Sequence, residues 1–163
     1  MAERATARLL VEHYTAKVVP SSAIRRGRQG VVVACPPMCG RREFIDQQVE
    51  PKWIDAHAIM RYIGAEPESD EPVARTRSVA MCNLVLQVCK EQGVCVLTSR
   101  VADPGVLDAV VLPDECEHRA LYELYGARGL SASYWDEHIL STRLSLSRVP
   151  VPRVKSFDSL AYI

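Results

Sequence analysis

The apolar positions of this chain fall into two kinds of run. Residues 31–34 and 94–98 are continuous and apolar in character, and residues 107–112 read as a further strand ended by Pro113. Runs of that kind, without polar alternation, mark strands buried on both faces of a parallel sheet. Residues 73–92 follow a different rule. Val79, Cys82, Leu86 and Cys89 recur at spacings of three and four, and Val85 and Val88 widen the stripe. That period predicts an amphipathic helix, ended by Gly93. Residues 114–126 read as another helix, with Leu121, Leu124 and Tyr125 on its apolar side. Ser133 and Asp136 have the spacing of a capping box, so a helix is expected from there to about Leu144.

Shorter elements fill the gaps. Trp53-Ile54-Asp55 reads as a brief strand, and residues 56–63 as a helix stopped by Gly64. Residues 66–72 are acidic and twice interrupted by proline, a surface loop. Pro150 and Pro152 break the chain before a last strand expected within residues 154–163. Residues 2–19, with Leu9, Leu10, Val11, Tyr14, Val18 and Val19, leave helix and strand both open. Strands alternating with helices predict a layered α/β/α fold around a mainly parallel sheet. The division expected is an N-terminal extension, residues 1–29, before an α/β domain, residues 30–163.

Composition adds little until charge is mapped. The 163 residues are 48% hydrophobic and 25% charged, ordinary for one globular domain. Formal net charge is zero, yet residues 1–42 hold eight Lys/Arg against two Asp/Glu, and residues 43–72 hold two against eight. Such blocks suit an anionic partner, self-association, or a face turned to water. No apolar N-terminal stretch or membrane-length run is present, so an intracellular place is expected. The six cysteines are then reduced thiols. Cys35, Cys82, Cys89 and Cys95 read as core. Cys35 and Cys39, and Cys116 with His118, lack the paired spacing of a structural zinc site, so no metal is expected.

The segment after the first strand carries the candidate chemistry. Cys35-Pro36-Pro37-Met38-Cys39-Gly40-Arg41-Arg42 turns a strand into a helix. Backbone N–H groups at such a turn, with adjoining cations, favour a phosphate. Pro36, Pro37 and Gly40 match three of the eight positions of Gly-Pro-Pro-Gly-Ser-Gly-Lys-Ser. Met38 and Cys35 replace glycines, and Arg41 replaces the lysine. Arg42 replaces the hydroxyl that holds magnesium, and a guanidinium cannot ligate a cation. Residues 94–98 lead to Ser99 and Arg100 without an acid for a second metal contact.

From Gly30 to the C-terminus the order of elements resembles the small P-loop kinases of the adenylate-kinase and phage polynucleotide-kinase type, with a degenerate phosphate loop. The resemblance implies a phosphate site over Cys35, Pro36, Pro37, Met38, Cys39, Gly40, Arg41 and Arg42. It implies a base at Asp55, and lid arginines at Arg119 and Arg128. The arginine usual three residues after that acid is Ala58 here, with Arg61 a turn further. It also suggests a phage or viral source, with a place in the host cytoplasm or the virion.

Three functions follow. The first is a catalytically inactive kinase-like binding or assembly module, since phosphoryl transfer depends on the very parts replaced. The second is an unusual phosphotransferase using ATP and Mg2+, with Asp55, Arg41 and Arg128 catalytic. The third is a nucleic-acid module using Arg25, Arg26 and Arg28 with Arg41 and Arg42. The plainer readings are that Asp55 caps the following helix and that Trp53 and Trp135 are core or interface anchors. For His57 and His118 they are surface or core positions, and for Arg119, Arg128 and Arg143 surface ion pairs.

Overall fold

A computed structural model describes residues 2–64, 72–99, 103–126 and 132–162. The three apolar runs become the centre of a five-stranded sheet. In chain order the strands are β1 (Val32–Ala34), β2 (Ile54–Asp55), β3 (Val96–Thr98), β4 (Ala109–Val111) and β5 (Arg153–Val154). They lie side by side in the order β2-β3-β1-β4-β5, and every pairing is parallel. The layered α/β architecture expected from the alternation is what the chain adopts.

The helices are α1 (Ala2–Lys17), α2 (Arg41–Asp46), α3 (Ala56–Tyr62), α4 (Pro72–Glu91), α5 (Glu115–Leu121), α6 (Ala132–Tyr134) and α7 (Leu140–Ser147). Among the described residues, none is long and apolar enough to cross a membrane.

The period-2 pleat divides the core in two. Val32, Ala34, Val96 and Val110 pack with Ala7, Val11, Tyr14, Ile59, Met60, Val85, Leu86, Val88, Cys89 and Leu146. Val33, Leu97, Ala109 and Val111 pack on the other side with Cys35, Cys39, Trp53, Phe157 and Leu160. Register keeps the two sets apart, with Val32 opposite Val96 and Val33 opposite Leu97. The first layer is the larger. It also settles the N-terminal stretch as helix over Ala2–Lys17, for Ala7, Val11 and Tyr14 lie on one face of α1 and contribute to that core.

Two glycines make the sheet entry possible. A Cβ on Gly30 would stand 2.0 Å from the Val94 carbonyl oxygen. Gly93 turns the chain out of α4 at φ +79, and a Cβ there would stand 2.5 Å from Arg25 O. Any side chain at either place collides with backbone, which cannot rotate away.

Several local expectations give way. Val79 is 49% exposed, so the inward stripe of α4 runs through Cys82, Val85, Leu86, Val88 and Cys89 without it. Leu124 is 69% exposed while Tyr122 is buried. A wide π-type turn over Tyr122–Gly126 follows α5 and rotates the expected apolar face. Ser133 lies inside α6 rather than capping it, and a second wide turn, Trp135–Ile139, joins α6 to α7. The last strand is only Arg153–Val154. A 3-10 helix over Phe157–Tyr162 replaces the rest, and it delivers Phe157 and Leu160 to the core. The side chain of Tyr125, residues 66–71 of the expected acidic loop, Arg100 and Arg128 lie outside what is described.

Candidate functional site

β1 is the central strand, and the 35–40 loop leaves its carboxyl end. In open parallel sheets that edge is where ligands bind, because the connections diverge there and leave a crevice. A cavity of about 270 Å³ opens at this place, lined by Pro37, Met38, Gly40, Arg41, Arg42, Glu43 and Ser99.

The loop is held by short bonds to the strands and helices beside it. Cys35 N donates to Thr98 O at 2.9 Å, and the buried Cys35 thiol points at the same oxygen, 3.6 Å away. Gly40 at φ +96 opens α2, and Phe44 N donates back to Gly40 O at 3.0 Å. Met38 takes φ +58, a left-handed conformation that favours glycine, and its side chain is 40% exposed. A non-glycine residue there stores on the order of 1 kcal/mol of strain.

One flank of the loop is a closed polar network. His118, on α5, is fully buried. Its Nε2 lies 2.8 Å from Pro37 O, an acceptor only, so Nε2 carries the proton. Nδ1 then presents a lone pair, and Arg143 Nη1 donates to it at 3.0 Å. Arg143 Nη2 donates to Pro113 O at 2.7 Å. Burial, and next the positive charge of Arg143, push the His118 pKa below its ordinary value. The imidazole is a neutral pin between loop and helix. Trp135 packs edge-on against it at 5.0 Å, and the Arg119 guanidinium sits 5.0 Å over the Trp135 ring.

The other flank is different. Arg41 and Asp55 approach with Nε to Oδ1 at 3.6 Å, their side chains only 13% and 14% exposed. That distance suits an ion pair but is too long for a hydrogen bond. Arg41 Nε is buried and has no hydrogen-bond partner. Asp55 Oδ1 instead accepts from His57 N at 3.0 Å, capping α3. His57 Nε2 lies 2.9 Å from Ser99 Oγ.

The residues singled out from sequence are thus partly brought together. Pro37, Met38, Gly40, Arg41 and Arg42 share the cavity wall. Asp55 joins them through Arg41, and it is also the helix cap that its position suggested. Cys35, Pro36 and Cys39 are buried beneath the loop rather than lining the cavity. Burial raises the Cys39 pKa, behind the larger effect of a hydrogen bond with Cys35. Arg119 is occupied with Trp135 and with Glu123, at 3.1 Å, and does not line the cavity. Arg128 lies outside the described residues. Arg25, Arg26 and Arg28 precede β1, whereas Arg41 and Arg42 follow it. The two groups therefore occupy opposite ends of the sheet, and the five arginines do not form one patch. Trp53 and Trp135 are core residues, both buried.

Three members are named in the sequence reading without the contacts that they make here. Ser99 was passed over as a residue following a strand, and its signal was proximity to His57 across the β2–β3 pairing. His118 and Arg143 carry no local motif, for they meet across 25 residues of chain.

The chain matches no protein-family model, no curated protein and no solved structure.

Proposed function

We propose that this protein is a kinase-like binding module that takes a phosphorylated ligand at the 35–40 loop and does not transfer its phosphate. The observation that carries this reading is Arg41. A guanidinium has five N–H donors. Here the side chain is largely buried on the wall of the cavity, and its Nε has no hydrogen-bond partner among the described residues, with Asp55 Oδ1 standing at 3.6 Å. Buried donors without acceptors are costly, and a phosphate oxygen at this place would satisfy them. Arg42, exposed on the same wall, adds a second cation.

The same geometry speaks against phosphoryl transfer. Asp55, the base that the kinase resemblance implies, faces Arg41 and caps α3. That carboxylate is taken up by Arg41 and by the first turn of α3, and it does not line the cavity where an incoming hydroxyl would stand. The residues present do not fit magnesium either, for Arg42 stands where a metal-binding hydroxyl belongs. Met38 fits the loop alignment in one respect. It occupies a glycine position and adopts the glycine-like φ of +58.

Calorimetric titration with ATP, GTP, ADP and inorganic pyrophosphate, with and without magnesium, tests the proposal. Binding that needs no magnesium, weakens at least tenfold in Arg41→Met and releases no γ-phosphate is the expected result. Absence of binding at millimolar ligand overturns it. Magnesium-dependent phosphate release from ATP would establish the phosphotransferase instead.

A further inference from the structure

His57 and Ser99 have no part in phosphate binding as described above, yet they meet at its edge. Strands β2 and β3 are parallel neighbours, with Asp55 opposite Leu97. His57 and Ser99 each stand two residues beyond that pair, so the sheet register sets them side by side. Their separation, 2.9 Å from Nε2 to Oγ, is the contact a nucleophile makes with its base. Both are partly buried, and Ser99 lines the cavity that Arg41 and Arg42 also line. The Asp55 carboxylate holds the backbone of His57 through its N–H at 3.0 Å, which anchors the first turn of α3.

We propose that Ser99 and His57 are a nucleophile–base pair for hydrolysis of a small carboxylic ester that bears an anionic group such as a phosphate. His57 Nε2 accepts the Oγ proton as Oγ forms a bond to the acyl carbon. The bond from that carbon to the leaving oxygen breaks, and the proton passes from His57 to the departing alkoxide. Water then attacks the acyl-serine with His57 again as base. It releases the carboxylic acid and restores Ser99, so that ester and water become acid and alcohol. Charge that develops on the carbonyl oxygen needs donors aimed into the cavity. Arg41, on the wall of that cavity and with its buried Nε–H left without a partner among the described residues, is the donor we assign to it. The anionic group of the ester rests on the phosphate-binding reading, and Arg42, the second cation of the cavity wall, is left to read it when Arg41 turns to the carbonyl oxygen.

Serine labelling with a fluorophosphonate reporter, mapped by mass spectrometry, tests the pair without knowledge of the natural ester. One adduct at Ser99 is expected in the wild-type chain, none in Ser99→Ala, and labelling at least 100-fold slower in His57→Gln. A pre-steady-state burst with p-nitrophenyl acetate is expected from wild type and absent from Ser99→Ala. Melting curves accompany each variant, and the wild-type burst needs no variant at all. No adduct at Ser99 and no burst under conditions that label a known serine hydrolase overturn the proposal. So does equal labelling of wild type and a folded His57→Gln. A labelled Ser99 without any phosphate binding overturns only the earlier reading, and the reverse result overturns only this one.

Discussion

Two arginines flank the 35–40 loop, and they live under different rules. Arg143 donates to His118 Nδ1 and to Pro113 O, and through His118 it holds Pro37. Arg41 is largely buried, and its Nε has no acceptor among the described residues. The first is a finished structural part, whose removal exposes the cost of what it satisfied. The second is unfinished within the chain alone. A buried donor left in that state lowers stability, and the proposed phosphate ligand would supply its missing acceptor.

The largest break in this comparison should come from the finished side. His118→Phe keeps the ring volume but strands Arg143 and Pro37 O. A loss of about 1–3 kcal/mol in chemical denaturation is expected, since Pro37 O and Arg143 Nη1 both lose their partner in a partly buried place. Arg41→Met should behave in the opposite way. Stability is expected to stay within about 1 kcal/mol of wild type, or to rise, because an unsatisfied guanidinium leaves the interior. Ligand affinity should fall at least tenfold in the same variant. If Arg41→Met proves as destabilising as His118→Phe, the contrast between the two arginines collapses.

Acid sharpens the contrast further. The folded protein holds His118 neutral, with its pKa below the 6.5 of an unperturbed histidine. The unfolded chain therefore binds this proton first as pH falls. The stabilising contribution is complete above about 6.5 and is lost as pH drops from there toward the folded value. Stability measured across that window should decline, and the decline should be shallower in His118→Phe. An equal slope in both proteins would remove His118 from the account.

The smallest effect is local. Cys35 and Cys39 are buried under the loop, whereas Cys116 is exposed. A thiol reagent on the native protein should modify Cys116 quickly and the other five slowly. Cys89, buried and pushed up to about 12, should be among the slowest. Cys39 should become more reactive in His118→Phe and stay protected in Arg41→Met, because only the first change frees the loop. Peptide mapping against time reads this directly.

Legibility followed the range of the interaction. The buried strands are plain in the sequence because nearly all their positions are apolar, Thr98 apart. α4 is plain because five of the six positions of its expected stripe, Cys82, Val85, Leu86, Val88 and Cys89, do turn inward. α1 was ambiguous for a physical reason. Leu9, 65% exposed, and Val18, 53% exposed, lie on its outer side and blur the period of Ala7, Val11 and Tyr14. The wide turns after α5 and α6 were invisible, since each inserts an offset no hydrophobic count detects. Within the site, the 35–40 loop and Asp55 could be found by motif. The His118–Arg143 and His57–Ser99 contacts could not, as each needs the sheet order before its members become neighbours.

The position of β1 has a consequence for how the chain assembles itself. β1 is formed by residues 32–34, yet its two neighbours are formed by residues 96–98 and 109–111. Nothing made earlier can pair with it. As the polypeptide is synthesised, the most central strand waits with both edges open until more than 60 further residues have been added. Closure then engages β3 and β4 around it and brings α1 onto α4. Folding of this protein is consequently a late, long-range event, governed by contacts distant in sequence, and the loop acquires its shape only at the end.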